Sequence, residues 1–118
     1  MAAEGYHEAY DQLTAHTQDL HRAIRSLMEE FEAVDWYQQR VDACGDDELR
    51  AILAHNRDEE KEHAAMVLEW IRRHDAVLDT QLKKYLFTST PITGSESSSV
   101  PTSPPSIGSL RTSTKASK

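Results

Sequence analysis

The 118 residues contain a single cysteine, Cys44, so neither a disulfide framework nor a site built from several thiolates is available. Cys44 sits in an expected turn and is given no role. Proline is missing before Pro91, and glycine occurs only at positions 5, 45, 94 and 108. The first 90 residues therefore carry few of the breakers that punctuate β-rich or loop-rich folds. No stretch approaches the ~20 apolar residues of a membrane span, and the start, Met1-Ala2-Ala3-Glu4-Gly5, is neither basic nor apolar enough for a secretory leader. A cytoplasmic protein with no membrane partner is the expectation. Positive charge is also scarce, with 13 Lys and Arg against 20 Asp and Glu. Residues 1–87 alone carry −9, which argues against a nucleic-acid partner.

The last 31 residues, 88–118, hold 16 Ser or Thr and all four prolines. Such a composition cannot bury enough apolar surface to order itself, so a folding unit over 1–87 followed by a disordered linker over 88–118 is expected. Within the first part, Leu13, Leu20, Ile24, Leu27, Phe31 and Val34 recur every three or four residues, predicting one long amphipathic helix from about Tyr6 to Val41. Cys44-Gly45-Asp46-Asp47 supplies a glycine suited to ending that helix and an aspartate suited to capping the next. A second helix is expected from about Asp47 to Arg73, and a shorter third one between Asp75 and Phe87. The fold class is all-α: an antiparallel hairpin plus a short third helix.

Two helices cannot enclose a core by themselves, and an 87-residue unit is small for stable folding alone. A second copy is the simplest cover, and two hairpins make a four-helix bundle. The seam that this bundle would bury is polar at its centre. Positions 49, 53, 56, 60, 63, 67 and 70 read Leu49, Leu53, Asn56, Glu60, His63, Val67, Trp70, and the first helix contributes Leu20, Ala23, Leu27, Glu30, Val34, Tyr37, Val41. Burying isolated carboxylates is costly unless a cation neutralises them. One Glu from one helix with Glu-x-x-His from another is half of the ligand set of a di-iron carboxylate bundle. A homodimer would complete it with Glu30, Glu60 and His63 from each chain, a set suited to iron without excluding Mn or Zn. Glu59, at i, i+4 from His63, lies near the seam edge, so spacing leaves the choice between Glu59 and Glu60 open. His55 with Glu59 reads as a surface pair. His7, His16, His21 and His74 lack co-ligands. On another face of the first helix, Glu29, Glu32 and Trp36 fall together, suggesting a subunit contact or a cation-gathering patch.

The runs Met28-Glu29-Glu30-Phe31-Glu32-Ala33-Val34-Asp35-Trp36-Tyr37 and Ala51-Ile52-Leu53-Ala54-His55-Asn56-Arg57-Asp58-Glu59-Glu60-Lys61-Glu62-His63-Ala64-Ala65-Met66 closely resemble encapsulated ferritins. The likeness extends over nearly all of residues 20–93, including Tyr85-Leu86-Phe87-Thr88 and Pro91-Ile92-Thr93. It implies a ferroxidase centre of Glu30, Glu60 and His63 across a dimer interface with Tyr37 close by, and it favours Glu60 over Glu59. It implies an outer metal-attracting site of Glu29, Glu32 and Trp36, able to take a second divalent cation, and dimers joined into an open decameric ring. Because half-length subunits build no closed cage, it also implies that mineral is stored inside an encapsulin shell. In the tail, Ser106-Ile107-Gly108-Ser109-Leu110-Arg111 resembles an encapsulin cargo-loading peptide, with Ile107, Gly108, Ser109, Leu110 and Arg111 as the docking residues. The expected activity is therefore oxidation of Fe²⁺ to Fe³⁺ by oxygen or peroxide in an encapsulin lumen. The alternative is a non-catalytic helical oligomerisation module whose metal is structural.

Overall fold

A computed structural model describes residues 5–94. Among them there are helices and turns and no strand: a 3-10 turn at Tyr10–Gln12, then α1 (Ala15–Ala43), α2 (Asp47–Arg73) and α3 (Ala76–Tyr85). The described residues fall into two compact units, one up to Ala76 and one from Val77 onward. In the first, α1 and α2 pack against each other as an antiparallel hairpin. No helix among the described residues is long and apolar enough to cross a membrane.

Local chemistry sets the helix ends. α2 begins where the Asp46 carboxylate accepts from the Leu49 amide at 2.8 Å, and Asp47 and Glu48 occupy the positive end of the helix dipole. It finishes with Arg72 and Arg73 at the negative end, as the charge pattern predicts. α1 differs from expectation at its start. Helix does not run from Tyr6. Gly5 adopts φ +81°, Leu13 is extended, and the Thr14 hydroxyl caps α1 by accepting from the Thr17 amide at 3.1 Å. The segment before Thr14 is instead fastened sideways to α1. The Tyr6 ring stacks on His21 at 4.0 Å, and the Tyr10 hydroxyl accepts from Arg22 at 3.3 Å. A Cβ on Gly5 would stand 2.9 Å from the His21 ring, so this close approach needs glycine twice over, for its φ and for its lack of side chain.

The turn between α1 and α2 also departs from the sequence reading. Gly45 does not take the left-handed conformation of a helix-ending glycine, and Cys44 ends α1 in extended backbone. The carbonyl left over is satisfied from the far side of the turn, where Arg50 donates to the Cys44 carbonyl from Nη2 at 2.6 Å and Nε at 3.1 Å. A side-chain cation thus does the work expected of a glycine cap.

The hairpin's core is thin. Among the described apolar residues only Ala64 and Ile71 are buried, whereas Ile24, Met28, Phe31, Ile52 and Met66 are each about half exposed. Burial at ~25 cal/mol per Å² cannot be harvested by side chains that still face water.

Candidate metal centre

Near the middle of both long helices, Glu30 of α1 meets Glu60 and His63 of α2. One ligand atom from each lies within 4.8 Å of the others, the only group of three or more His, Cys, Asp or Glu side chains so placed among the described residues. Periodicity explains why. Glu60 and His63 are three residues apart on α2, so both side chains project toward the same side, and α1 presents Glu30 opposite them. His63 Nδ1 donates to Glu60 Oε1 at 3.2 Å and stands 3.6 Å from Glu30 Oε1. The carboxylates are about three-quarters covered, while the His63 side chain is 45 % exposed, so the cluster lies at an open edge of the hairpin.

The two carboxyl groups are not equivalent. Glu30 is held above the usual carboxylate range, first because it hydrogen-bonds to Glu60, then because it is shielded from water and feels the Glu60 charge. Glu60 is held below that range, chiefly by accepting that same hydrogen bond, with a further contribution from His63. The opposite directions are those of two carboxyl groups crowded together and interacting. His63 is raised, chiefly through its hydrogen bond to Glu60 and then through the nearby Glu30 charge. A cation bound among these three groups would compete with protons for the same donor atoms.

Glu59, the alternative that spacing left open, turns away and pairs with His55 Nε2 at 3.1 Å on the exposed side of α2. Glu29, Glu32 and Trp36 lie on α1 with the two acids and the indole all exposed. The Tyr37 ring lies beneath the Arg40 guanidinium, 5.1 Å from it. Cys44 is a free thiol in the turn. His21 and His74, which offered no co-ligands, are ring-stacking residues: His21 on Tyr6, His74 on Trp70 at 3.9 Å. Sequence reasoning missed both stacks: Trp70 and His74 stand at i, i+4 spacing that could have found theirs, whereas Tyr6 and His21 are joined only by the fold. Ile107, Gly108, Ser109, Leu110 and Arg111 lie outside the described residues.

Next to the cluster, an open groove of about 370 Å³ runs between the helices, lined by Ala23, Ser26, Met66, Val67 and Trp70 among others. Ala23, Val67 and Trp70 belong to the same seams as Glu30, Glu60 and His63. The polar triad is thus continuous with an apolar surface that still faces solvent.

The EncFtn-like family model matches residues 5–89, most of the chain. The chain belongs to the EncFtn-like family. This EncFtn-like chain is 63 % identical over 96 residues to an encapsulated ferritin-like protein of Rhodospirillum rubrum, covering 81 % of this chain and 69 % of that one. A ferritin-like protein of Thermotoga maritima is 55 % identical over 91 residues, covering 77 % and 80 % respectively. An encapsulin nanocompartment cargo protein of Myxococcus xanthus, EncC, matches over a shorter segment of 58 residues at 43 % identity, which is 48 % of this chain and 45 % of that one. Among solved structures, protein ne0167 from Nitrosomonas europaea superimposes with a TM-score of 0.73 at 67 % identity, covering 75 % of this EncFtn-like chain and 97 % of that protein.

Proposed function

We propose that this chain is a ferroxidase that works as encapsulin cargo, with Fe²⁺ as its substrate. The observation that carries the reading is the cross-helix triad of Glu30, Glu60 and His63, whose ligand atoms lie within 4.8 Å of one another. The names of its relatives support it, since they are ferritin-like and encapsulin-cargo proteins. One chain offers three donors, too few for two metal ions. A two-fold related second copy, covering the apolar groove beside the triad, supplies the other three and makes a ferritin-like four-helix bundle. Four carboxylates and two imidazoles then surround two Fe²⁺ ions. Each ion gives up one electron, and oxygen takes two electrons and two protons to become hydrogen peroxide, or peroxide is reduced to water. The carboxylates of Glu30 and Glu60 favour the ferric product by their charge, and His63 adds an imidazole donor. Tyr37 orients groups at the site's edge.

Glu29, Glu32 and Trp36 form an outer patch that attracts cations toward the centre. Dimers assemble further, into a ring of ten chains. Residues 1–87 hold the chemistry, and residues 88–118 act as a linker and address, with Ile107 and Leu110 as apolar anchors and Gly108, Ser109 and Arg111 between and beside them. Many linked copies of a weak peptide gain avidity, which suits loading into a shell lumen.

Two experiments test the reading. Anaerobic Fe²⁺ titration of metal-stripped protein, followed by admission of air and recording of ferric absorbance, is expected to show one Fe²⁺ bound per chain and its rapid oxidation. Wild-type protein that oxidises Fe²⁺ no faster than buffer refutes the activity. Co-expression with an encapsulin shell tests the address: Ile107→Asp with Leu110→Asp should leave active protein outside the shells, because a carboxylate does not fill an apolar pocket without a large desolvation cost. Packaging equal to wild type refutes the peptide assignment.

A further inference from the structure

α2 places one more reactive side chain beside the triad. Met66 follows His63 by three residues, so it lies roughly 60° from it around the helix and about 4.5 Å along the axis. Long side chains on a helix lean toward its N-terminus, which carries the Met66 thioether back toward the imidazole one turn earlier. Met66 also lines the open groove with Val67 and Trp70, and it is 58 % exposed. An oxidisable side chain thus stands on the surface that surrounds the triad.

Met28, the other methionine among the described residues, supplies the comparison. It is 53 % exposed, nearly the same as Met66, and only two residues from Glu30, yet it lies roughly 160° around α1 from that carboxylate. Similar exposure gives the two thioethers similar access to an oxidant in solution. Only Met66 stands on the face where an oxidant released among Glu30, Glu60 and His63 emerges, and proximity favours reaction there before dilution into bulk water.

We propose that Met66 is a modification site: hydrogen peroxide leaving the triad oxidises its thioether to the sulfoxide, which loosens the pairing of two copies over the groove. The sulfur gives up two electrons and the peroxide O–O bond breaks. One oxygen forms the S–O bond, and the other leaves as water with both protons. The peroxide is the one formed when oxygen takes two electrons from two Fe²⁺ ions, so the inference rests on the ferroxidase reading. Sulfoxide is polar where thioether is apolar, and its formation is reversible by reduction. A polar S–O group set beside Val67 and Trp70 loses its hydration when a second copy covers the groove, and without a donor opposite it that loss opposes pairing. Turnover that outruns the removal of peroxide then opens the centre that made it.

The test compares two oxidations of the full chain. In one, metal-free protein meets hydrogen peroxide in solution. In the other, protein loaded with Fe²⁺ without oxygen is opened to air in the presence of catalase, which destroys any peroxide that escapes. Peptide mass spectrometry reads the oxygen gained at Met66 and at Met28. The ratio of Met66 to Met28 oxidation should be at least about fivefold higher in the second case, and Glu60→Ala should abolish the preference. Native mass spectrometry through a dilution series then follows the pairs. Their half-dissociation concentration should rise at least about threefold after turnover, and not at all in Met66→Leu, which keeps the apolar volume but has no sulfur. Equal ratios in the two oxidations, in protein that oxidises Fe²⁺ rapidly, overturn this proposal alone. So does a dissociation curve unmoved by oxidation of Met66, or wild type that never pairs. Protein that oxidises Fe²⁺ no faster than buffer refutes the ferroxidase reading and this inference with it.

Discussion

α2 carries two His/Glu pairs within nine residues, and they behave differently. His55 and Glu59 meet at 3.1 Å on the exposed side of the helix, with side chains 67 % and 54 % exposed. Glu60 and His63 meet at nearly the same distance, 3.2 Å, but Glu60 is only 24 % exposed and Glu30 of α1 reaches the same imidazole. Both pairs have helical spacing and ordinary ion-pair geometry. The difference is a third group from another helix. An exposed pair in water is worth a fraction of a kcal/mol and holds no cation in preference to its own proton. The cross-helix group crowds two carboxylates around one imidazole, and such crowding is relieved by a divalent cation.

The largest expected effect follows directly. Glu30→Ala, Glu60→Ala and His63→Ala should each lower Fe²⁺ oxidation by a factor of ten or more, since each removes two donors from a two-fold site, while His55→Ala and Glu59→Ala change it less than twofold. Stopped-flow ferric absorbance measures both sets, and equal losses in the two pairs would erase the distinction between them. Far-ultraviolet circular dichroism should show helix retained throughout, because replacing a crowded acid is often neutral or stabilising for a fold.

A second, smaller effect is thermodynamic. In the metal-free chain Glu60 and Glu30 hold the His63 imidazole above the ordinary histidine pKa of about 6.5. A raised folded-state pKa contributes stability that is complete below the unfolded value of about 6.5 and disappears as pH rises through the folded value. Metal-free protein should therefore lose a little thermal stability as pH climbs past that region, and His63→Gln should flatten the slope. Fe²⁺ binding should show the reverse trend, strengthening with pH as the imidazole sheds its proton. A melting series with and without Fe²⁺ in anaerobic buffer reads both slopes.

The attracting role proposed for the exposed acids Glu29 and Glu32 extends the comparison to a third kind of site, one that would act at a distance. Raising salt from about 10 mM to about 1 M shortens the screening length roughly tenfold, from about 30 Å to about 3 Å, so it should slow wild-type iron oxidation more than that of Glu32→Ala. Identical salt dependence removes the attracting role.

The smallest effect concerns Glu69, near the end of α2, which Arg72 holds at 2.7 Å together with Arg73 and so brings to a pKa of about 2. Its folded value is depressed, so its contribution is present above about 4.5 and is lost as pH falls toward about 2. Acid titration followed by circular dichroism should find Glu69→Gln less sensitive than wild type in that window only.

Much of this molecule is legible residue by residue. The 3.6-residue period defined three helices, the Asp46 cap and the terminal arginines marked both ends of α2, and the interruption of two apolar seams singled out Glu30, Glu60 and His63, which the fold brings together. These are local or single-helix properties, set by backbone geometry and by the direction of a side chain about its own axis. Other features depend on where one element lies relative to another. Glu59 and Glu60 differ by only ~100° about α2, and only the position of α1 makes one a partner of His63 and the other a partner of His55. The same holds for Arg50, which replaced Gly45 as the cap of α1, and for Gly5, whose need for glycine comes from a histidine 16 positions along the chain. Sequence by itself determined which side chains each helix presents and in what order; tertiary structure alone decided which of them meet, because a helical period fixes angles about one axis and says nothing of the distance to the next.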